Sequence, residues 1–173
     1  WPARELLNPD DYSVMTILTS RGCPFNCIYC DKGISTRKVK FRSPSDIFEE
    51  MKHIAAKLNK KRLYIVDDHF FLNRKTLESV LDKMINGRLG VRWVCQARVD
   101  CISEDILRKA KDAGCEQIIF GIETGDETEL KYMRKDTTLL EAESAVKLTK
   151  KAGITARINF MIGFPVSTRQ TIS

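Results

Sequence analysis

Three cysteines near the amino terminus stand close enough to act on one metal group. Cys23, Cys27 and Cys30 have the spacing C-x3-C-x2-C in a segment that also contains glycine, proline and asparagine. Cysteine thiolates are the ligands that iron–sulfur clusters require, and these short intervals let one loop fold around a compact cluster. A four-iron cluster with three protein ligands leaves one iron open, as catalytic metal sites keep a position open for a substrate. The spacing therefore favours a catalytic iron–sulfur site.

A zinc site is the main alternative. Structural zinc usually takes four ligands, so the fourth would have to come from outside the loop. Neither His53 nor His69 stands at a ligand-like spacing from the cysteines. Three unrelated core cysteines are disfavoured, because the segment is rich in turn-forming residues. The other cysteines, in or near predicted strands and helices, are interpreted as small buried residues: Cys95, Cys101 and Cys115.

The composition limits the class of protein. The chain has 173 residues, of which 43% are hydrophobic and 30% charged, as expected of a globular domain with its own core. No apolar run approaches the ~18 residues of a membrane span, and residues 1–20 do not have a signal-peptide pattern. Reduced thiols and a cytoplasmic location are therefore expected. The net charge of +6 is dispersed, so nucleic acid is not an expected partner.

Strand and helix patterns alternate along the chain. Short apolar runs predict strands over 13–19, 62–66, 91–97, 117–121 and 157–162. Amphipathic periodicity with helix start and stop signals predicts helices over 43–58, 75–85, 103–113 and 141–152. This alternation indicates parallel strands in an α/β fold, either an open doubly wound sheet or part of a β/α barrel. In both folds the chemistry lies at the carboxyl ends of the strands.

The two ends of the chain suggest a domain taken from a longer protein. Residues 1–12, with two prolines and two adjacent aspartates, have the composition of a linker from an upstream domain. The chain ends shortly after a predicted strand, without a helix to cover it. We therefore expect a core domain over 13–173 that is incomplete at its C-terminus.

The cysteine loop, from Arg21 to Cys30, resembles the cluster loop of the radical S-adenosylmethionine (SAM) superfamily, including the aromatic Tyr29 before the last cysteine. Segments 66–71, 120–125 and 160–165 follow in the order in which such enzymes carry cofactor motifs. The resemblance runs from about Tyr12 to the C-terminus. It implies a partial (β/α)6 TIM-like barrel of parallel strands, of which this chain supplies five strands and lacks the last β/α unit.

The resemblance also implies residue roles. The three loop cysteines would ligate a 4Fe–4S cluster. Asp67 or Asp68, with Asp68 preferred, would take the place of the family's frequent Gly-Gly-Glu and bind the SAM amino group. The resemblance also implies that Ile162, Gly163 and the backbone of Tyr29 contact adenine, and that Glu123 contacts the ribose. Arg98 and Arg157 are candidates for the SAM carboxylate, and Arg98 is preferred because Arg157 lies at the amino end of its strand. The chain departs from the family at Val166 and Ser167, where relatives often have Gly-Glu.

The implied activity is reductive cleavage of SAM to a 5′-deoxyadenosyl radical, with electrons from a donor such as flavodoxin or ferredoxin. Segments 19–24 and 67–70 look like those of members with an upstream cobalamin-binding domain, which would suggest cobalamin-dependent methyl transfer. A methylthiotransferase-like enzyme without cobalamin remains an alternative, as does a non-enzymatic zinc module that uses the same cysteines. The sequence does not identify the substrate, and no catalytic side chain is assigned.

Overall fold

A computed structural model describes residues 1–31 and 37–172. Its strands are β1 (Met15–Ile17), β2 (Ser20–Arg21), β3 (Lys40–Phe41), β4 (Arg62–Ile65), β5 (Arg92–Ala97), β6 (Cys115–Glu123) and β7 (Thr155–Phe160). Five of them form one parallel sheet in the order β1-β4-β5-β6-β7. The other two, β2 and β3, form a short antiparallel ribbon on either side of the cysteine loop.

The helices are α1 (Pro44–Lys57), α2 (Arg74–Asn86), α3 (Glu104–Asp112), α4 (Glu127–Tyr132), α5 (Leu139–Lys151) and α6 (Arg169–Ile172). Local signals fix several helix starts. Ser43 accepts a hydrogen bond from the backbone of Asp46 at the start of α1, and Pro44 occupies the first helical position. Thr138 and Glu141 form a reciprocal capping box at α5. Within the described residues, no helix is long and apolar enough to cross a bilayer.

The order of the elements decides between the two sheet folds. The strands of the main sheet follow one another in chain order, and successive helices contact each other as α1 with α2, α2 with α3, and α3 with α5. A doubly wound sheet would place its helices on both faces and reverse the strand order. Strands that follow one another in chain order, covered by a single layer of helices, are the arrangement found in the wall of a β/α barrel. The structure therefore confirms the expected partial barrel.

The two faces of the sheet differ in polarity. One face forms the core with the helices, and its fully buried side chains include Ile17, Ile65 and Trp93. The other face carries polar side chains, among them Gln96, whose amide nitrogen donates to the hydroxyl of Tyr64 at 2.9 Å. In a β/α barrel this second face lines the interior, so polar groups are available beneath the carboxyl ends of the strands.

All five predicted strands and four predicted helices are present, with bounds shifted by a few residues. The last strand lies at Thr155–Phe160 rather than 157–162, because its register places Thr155 beside Gln117 of β6. The ribbon of β2 and β3 and the short helices α4 and α6 were not predicted, and α6 follows the last strand, where no helix was expected. Each has only two to six residues, too few to show a period in the sequence.

Residues 1–12 pack on the core through one buried arginine. Arg4 pairs with the fully buried Glu50 of α1 at 2.6 Å and donates to the carbonyl of Thr16 at 2.7 Å. Arg42 pairs with the same Glu50 and donates to the carbonyl of Leu18 at 2.7 Å. Two guanidinium groups held by one carboxylate therefore cover the outer edge of β1, where a bare strand edge would invite pairing. The proposed origin of residues 1–12 in an upstream domain stays a prediction.

We expect Glu50→Ala to lower the free energy of unfolding by roughly 3–5 kcal/mol, because it leaves two guanidinium groups without their buried partner. Urea unfolding followed by circular dichroism measures the change. Glu49→Ala is the matched control, since Glu49 is the exposed neighbour on the same helix. Equal stability of the two variants would show that the edge of β1 does not depend on Glu50.

Candidate functional site

The cysteine loop is anchored at its start by a buried carboxylate. Asp67, at the exit of β4, is 1% exposed and accepts hydrogen bonds from the backbone nitrogen and hydroxyl of Thr19 and from the hydroxyl of Ser20, at 2.6, 2.5 and 2.6 Å. These bonds tie the exit of β1 to that of β4. The next residue, Asp68, is exposed. Of the two aspartates, Asp67 therefore holds the loop, while Asp68 is the exposed one.

A cavity of about 280 Å³ lies beside the loop, at the carboxyl ends of β4, β5 and β6. It brings together eight of the residues predicted from the sequence: Cys23, Cys27, Cys30, Tyr29, Asp67, Asp68, Arg98 and Glu123. Two others, Ile162 and Gly163, follow β7 and are not among the described residues that line it. Ile162 is 79% exposed. The structure thus joins the first three predicted motifs and Arg98 in one site, and the residues of the fourth motif do not line it.

Phe25 of the cysteine loop contacts two side chains from the strand exits. The guanidinium of Arg98 lies 3.6 Å from the centre of the Phe25 ring, and the ring of His69 lies 6.0 Å away on a tilted plane. Arg98 is itself fixed by Asp100, with a nitrogen–oxygen distance of 2.9 Å, and donates to the carbonyl of Asp136 at 3.3 Å. A cation over an aromatic face is stabilising, more so where water is excluded. Arg98 therefore positions the loop as well as lining the cavity.

A second network joins the loop to β6. The hydroxyl of Tyr29 donates to Glu123 at 3.1 Å, and the ammonium of Lys135 donates to that carboxylate at 2.9 Å and to the Tyr29 oxygen at 2.8 Å. Burial, and then the negative charge of Glu123, raise the pKa of the Tyr29 hydroxyl, so it stays protonated. Glu123 has a φ of 74° next to an irregularity in the pairing of β6 with β7. This local distortion turns its carboxylate towards the loop.

Gly121 makes this network possible. A Cβ atom at this position would lie 2.3 Å from the Glu123 carboxylate oxygen and 3.0 Å from the Lys135 nitrogen. Both charged groups therefore lie directly over the backbone of β6, where any side chain would displace them.

His69 is a buried neutral base beside the cavity. Burial, and next the positive charge of Arg98, lower its pKa from 6.5 to about 4. Its Nε2 lies 3.3 Å from the sulfur of Cys101, and its Nδ1 has no hydrogen-bond partner among the described residues. With Asp100, these two residues could form a metal-ligating group. However, both carboxylate oxygens of Asp100 already bind Arg98, and burial raises the pKa of Cys101 to about 11. The group is therefore better explained as support for Phe25.

The three loop thiols border the same cavity. All six cysteines are free. A tetrahedral zinc ion with bonds of ~2.3 Å would hold its sulfur ligands within ~3.8 Å of one another. Among the described residues, the only metal-ligating group with all its atoms within 4.8 Å is the one that contains His69, and it excludes Cys23, Cys27 and Cys30. Cys23, Cys27 and Cys30 therefore do not all place their sulfur atoms within 4.8 Å of one another.

Sequence reasoning missed three residues of the site: Phe25, His69 as a cavity residue, and Lys135. His69 directly follows the two aspartates at the exit of β4, and this position in the sequence could have predicted that it lies at the cavity. Lys135 lies 12 residues after Glu123, on the far side of α4, and no spacing pattern indicates it. Only the return of the chain after α4 brings it to the cavity.

Comparisons with known proteins match the chain to one family and to longer relatives. Residues 17–173 match the family described as the radical SAM superfamily. An uncharacterized methyltransferase of Pyrococcus horikoshii is 30% identical over 99% of this chain and 39% of its own length. The hopanoid C-2 methylase of Rhodopseudomonas palustris is 29% identical over 98% of this chain and 34% of its own length. The chain thus spans well under half of these relatives.

One solved structure shares the fold closely. The radical S-adenosylmethionine methyltransferase TsrM from Kitasatospora setae, solved with cobalamin and a [4Fe-4S] cluster bound, has a TM-score of 0.86 to this chain. The two are 20% identical, and the match covers 95% of this chain and 34% of that one. At this identity the likeness establishes the fold alone.

Asp67 is buried and hydrogen-bonded whereas Asp68 is exposed, so alanine substitutions at the two positions should lower the free energy of unfolding by different amounts. Asp67→Ala removes three buried hydrogen bonds to a carboxylate, so we expect it to lower the free energy of unfolding by at least ~3 kcal/mol. Asp68→Ala, at an exposed position, is expected to change it by less than ~1 kcal/mol. Urea unfolding of both variants measures the difference. A larger loss for Asp68→Ala would contradict the assignment of Asp67 as the anchor.

The lowered pKa of His69 predicts a pH dependence. The unfolded chain binds a proton near pH 6.5 and the folded chain only near pH 4, so the free energy of unfolding should fall as the pH drops through this window. The full loss corresponds to about 3 kcal/mol. Urea unfolding between pH 7 and pH 4, for the natural chain and for His69→Gln, isolates this contribution. The slope should be smaller in the variant, and equal slopes would refute a neutral buried His69.

Proposed function

The chain belongs to the radical SAM superfamily of enzymes, and on that premise we propose that the cavity beside the cysteine loop holds a 4Fe–4S cluster together with SAM. The observation that carries the proposal is the convergence in one cavity of three thiols and the charged side chains of Asp68, Arg98 and Glu123. Sulfur ligands suit iron, and the charged groups suit a zwitterionic cofactor.

Cys23, Cys27 and Cys30 would ligate the cluster. The loop contains no fourth cysteine, so one iron would have no cysteine ligand from it. Cys27 is buried and Cys30 is exposed, so the loop reaches from the interior to the surface. The contacts of Arg98 and His69 with the Phe25 ring would hold the loop in place while its cysteines bind the cluster. Its rigidity would preserve the open coordination position that a substrate-binding iron needs.

The exposed carboxylate of Asp68 is our choice for the SAM amino group, since Asp67 is committed to the loop. Glu123 would accept from the ribose hydroxyls, and Lys135 fixes the orientation of its carboxylate. Arg98 remains the proposed contact for the SAM carboxylate, and the backbone of Tyr29 remains one for adenine. Ile162 and Gly163 keep their proposed adenine contact, which requires the segment after β7 to lie over the cavity.

When bound, the cluster and SAM supply a 5′-deoxyadenosyl radical on reduction. The residues of this chain position the two groups and limit the access of water. Phe25 and Ile119 provide apolar surface at the cavity wall, and Tyr29 stays protonated next to Glu123. An electron donor such as flavodoxin or ferredoxin is the proposed reductant.

Methyl transfer with cobalamin is the proposed reaction of the longer protein. It rests on the names of relatives that are methyltransferases and on the likeness to a fold that was solved with cobalamin bound. The corrin would be bound by a domain upstream of this segment. The six free thiols support the expected cytoplasmic location.

Anaerobic reconstitution with iron and sulfide tests the proposed function. We expect about four irons per chain, and 5′-deoxyadenosine on reduction with dithionite in the presence of SAM. Cys27→Ala should lose most of the iron and all detectable product, because a cluster ligand is missing.

Cys115→Ala is the matched control, since it removes a buried thiol at the start of β6, away from the cavity. It should retain the iron content of the natural chain. Stoichiometric zinc with no uptake of iron would instead establish the zinc module as the function of the loop.

A further inference from the structure

A second and larger cavity lies at the carboxyl end of β1, outside the proposed cofactor site. Its volume is about 680 Å³, within the range of small-molecule sites. It is bordered by the ribbon of β2 and β3, by the first turns of α1 and by residues 1–4. Val66 lines both this cavity and the cofactor cavity, so the two sites adjoin.

Cationic side chains outnumber acidic side chains around this second cavity. Four cationic residues and two acidic residues line it. The acids are already neutralised, because Glu50 pairs with Arg4 and Arg42, and Asp46 pairs with Arg42 at 2.7 Å. Within the described part of the chain, no carboxylate pairs with Arg21 or Lys40. Two uncompensated positive charges therefore remain.

These two charges stand directly opposite each other. The register of the ribbon pairs Arg21 with Lys40, and Ser20 with Phe41. Like charges at facing positions of an antiparallel pair destabilise it. A ribbon of two residues per strand has few other interactions to offset that cost. Both residues are exposed, and the pair does not stabilise the ribbon, whereas a bound anion between the two cations would remove the repulsion.

The cavity also offers apolar surface. Phe41 and Val66 are 38% and 37% exposed there, and Leu18 and Trp1 complete the apolar lining. The indole nitrogen of Trp1 donates to Asp46 at 2.9 Å, which holds the ring at the rim. A bare inorganic anion would leave this surface unused. An anion on an apolar body would contact both kinds of group.

We infer that this cavity binds an amphipathic organic anion, a carboxylate or phosphate attached to an apolar body, with the anionic group between Arg21 and Lys40. A concave site of this volume suits a small molecule rather than the flat acidic surface of a protein partner. The inference depends on the ribbon and the cavity, and not on the cofactor chemistry proposed above.

Isothermal titration calorimetry with 1-naphthyl phosphate tests the inference on the chain without added iron. Arg21→Gln and Lys40→Gln should each weaken binding about tenfold, as expected for the loss of one charge-assisted hydrogen bond. Inorganic phosphate, which lacks the apolar body, and 1-naphthol, which lacks the charge, should each bind at least ~10-fold more weakly than 1-naphthyl phosphate. Lys57→Gln, at an exposed position on α1 outside the cavity, is the charge-matched control and should bind as the natural chain does.

Unfolding in urea separates loss of binding from loss of structure. Both variants relieve the repulsion between Arg21 and Lys40, so each should unfold at a urea concentration equal to or higher than that of the natural chain. Unchanged affinity in both variants would overturn the inference, and so would inorganic phosphate binding as tightly as 1-naphthyl phosphate. Binding of poly-glutamate that is lost in the variants, without binding of 1-naphthyl phosphate, would also overturn it and identify a surface for an acidic protein.

Discussion

The carboxylate of Asp67 is the constraint on which the site depends. It accepts three short hydrogen bonds from Thr19 and Ser20 while almost completely buried, and so joins the exits of two neighbouring strands. The cysteine loop starts immediately after those residues. A buried carboxylate needs such partners, because an unpaired one would be strongly disfavoured. The place of the loop, and with it the place of the three thiols, is therefore fixed by the sheet itself.

The winding of the sheet then determines what the loop can face. Because every helix of the wall lies on one side, the other side is left for side chains that project towards the barrel interior, such as Tyr64 and Gln96. The exits of β4, β5 and β6 meet beside the loop and supply its charged neighbours. A doubly wound arrangement of the same elements would have covered this face with helices. The function proposed here thus depends on the direction of winding as much as on the cysteines.

Two buried ionic networks have different structural roles in this domain. Glu50 with Arg4 and Arg42 protects the exposed edge of the sheet, whereas Glu123 with Lys135 connects the loop to β6. Buried ion pairs add little net stability compared with apolar packing, but losing one partner is costly. Each of these two networks instead fixes the relative positions of the side chains that it joins. In the second network that geometry is the direction of the Glu123 carboxylate, which a distorted backbone also helps to set.

The sequence by itself determined the cysteine loop, the alternation of strands and helices, and the carboxyl ends of the strands as the place of the candidate site. Those features depend on residues near each other in the chain. Tertiary structure alone decided that Asp67 is buried while Asp68 is exposed, and that the helices cover one face only. It also placed Lys135 on Tyr29, 106 positions away. Contacts at such separations depend on how the strands pair and return, which local periodicity does not encode.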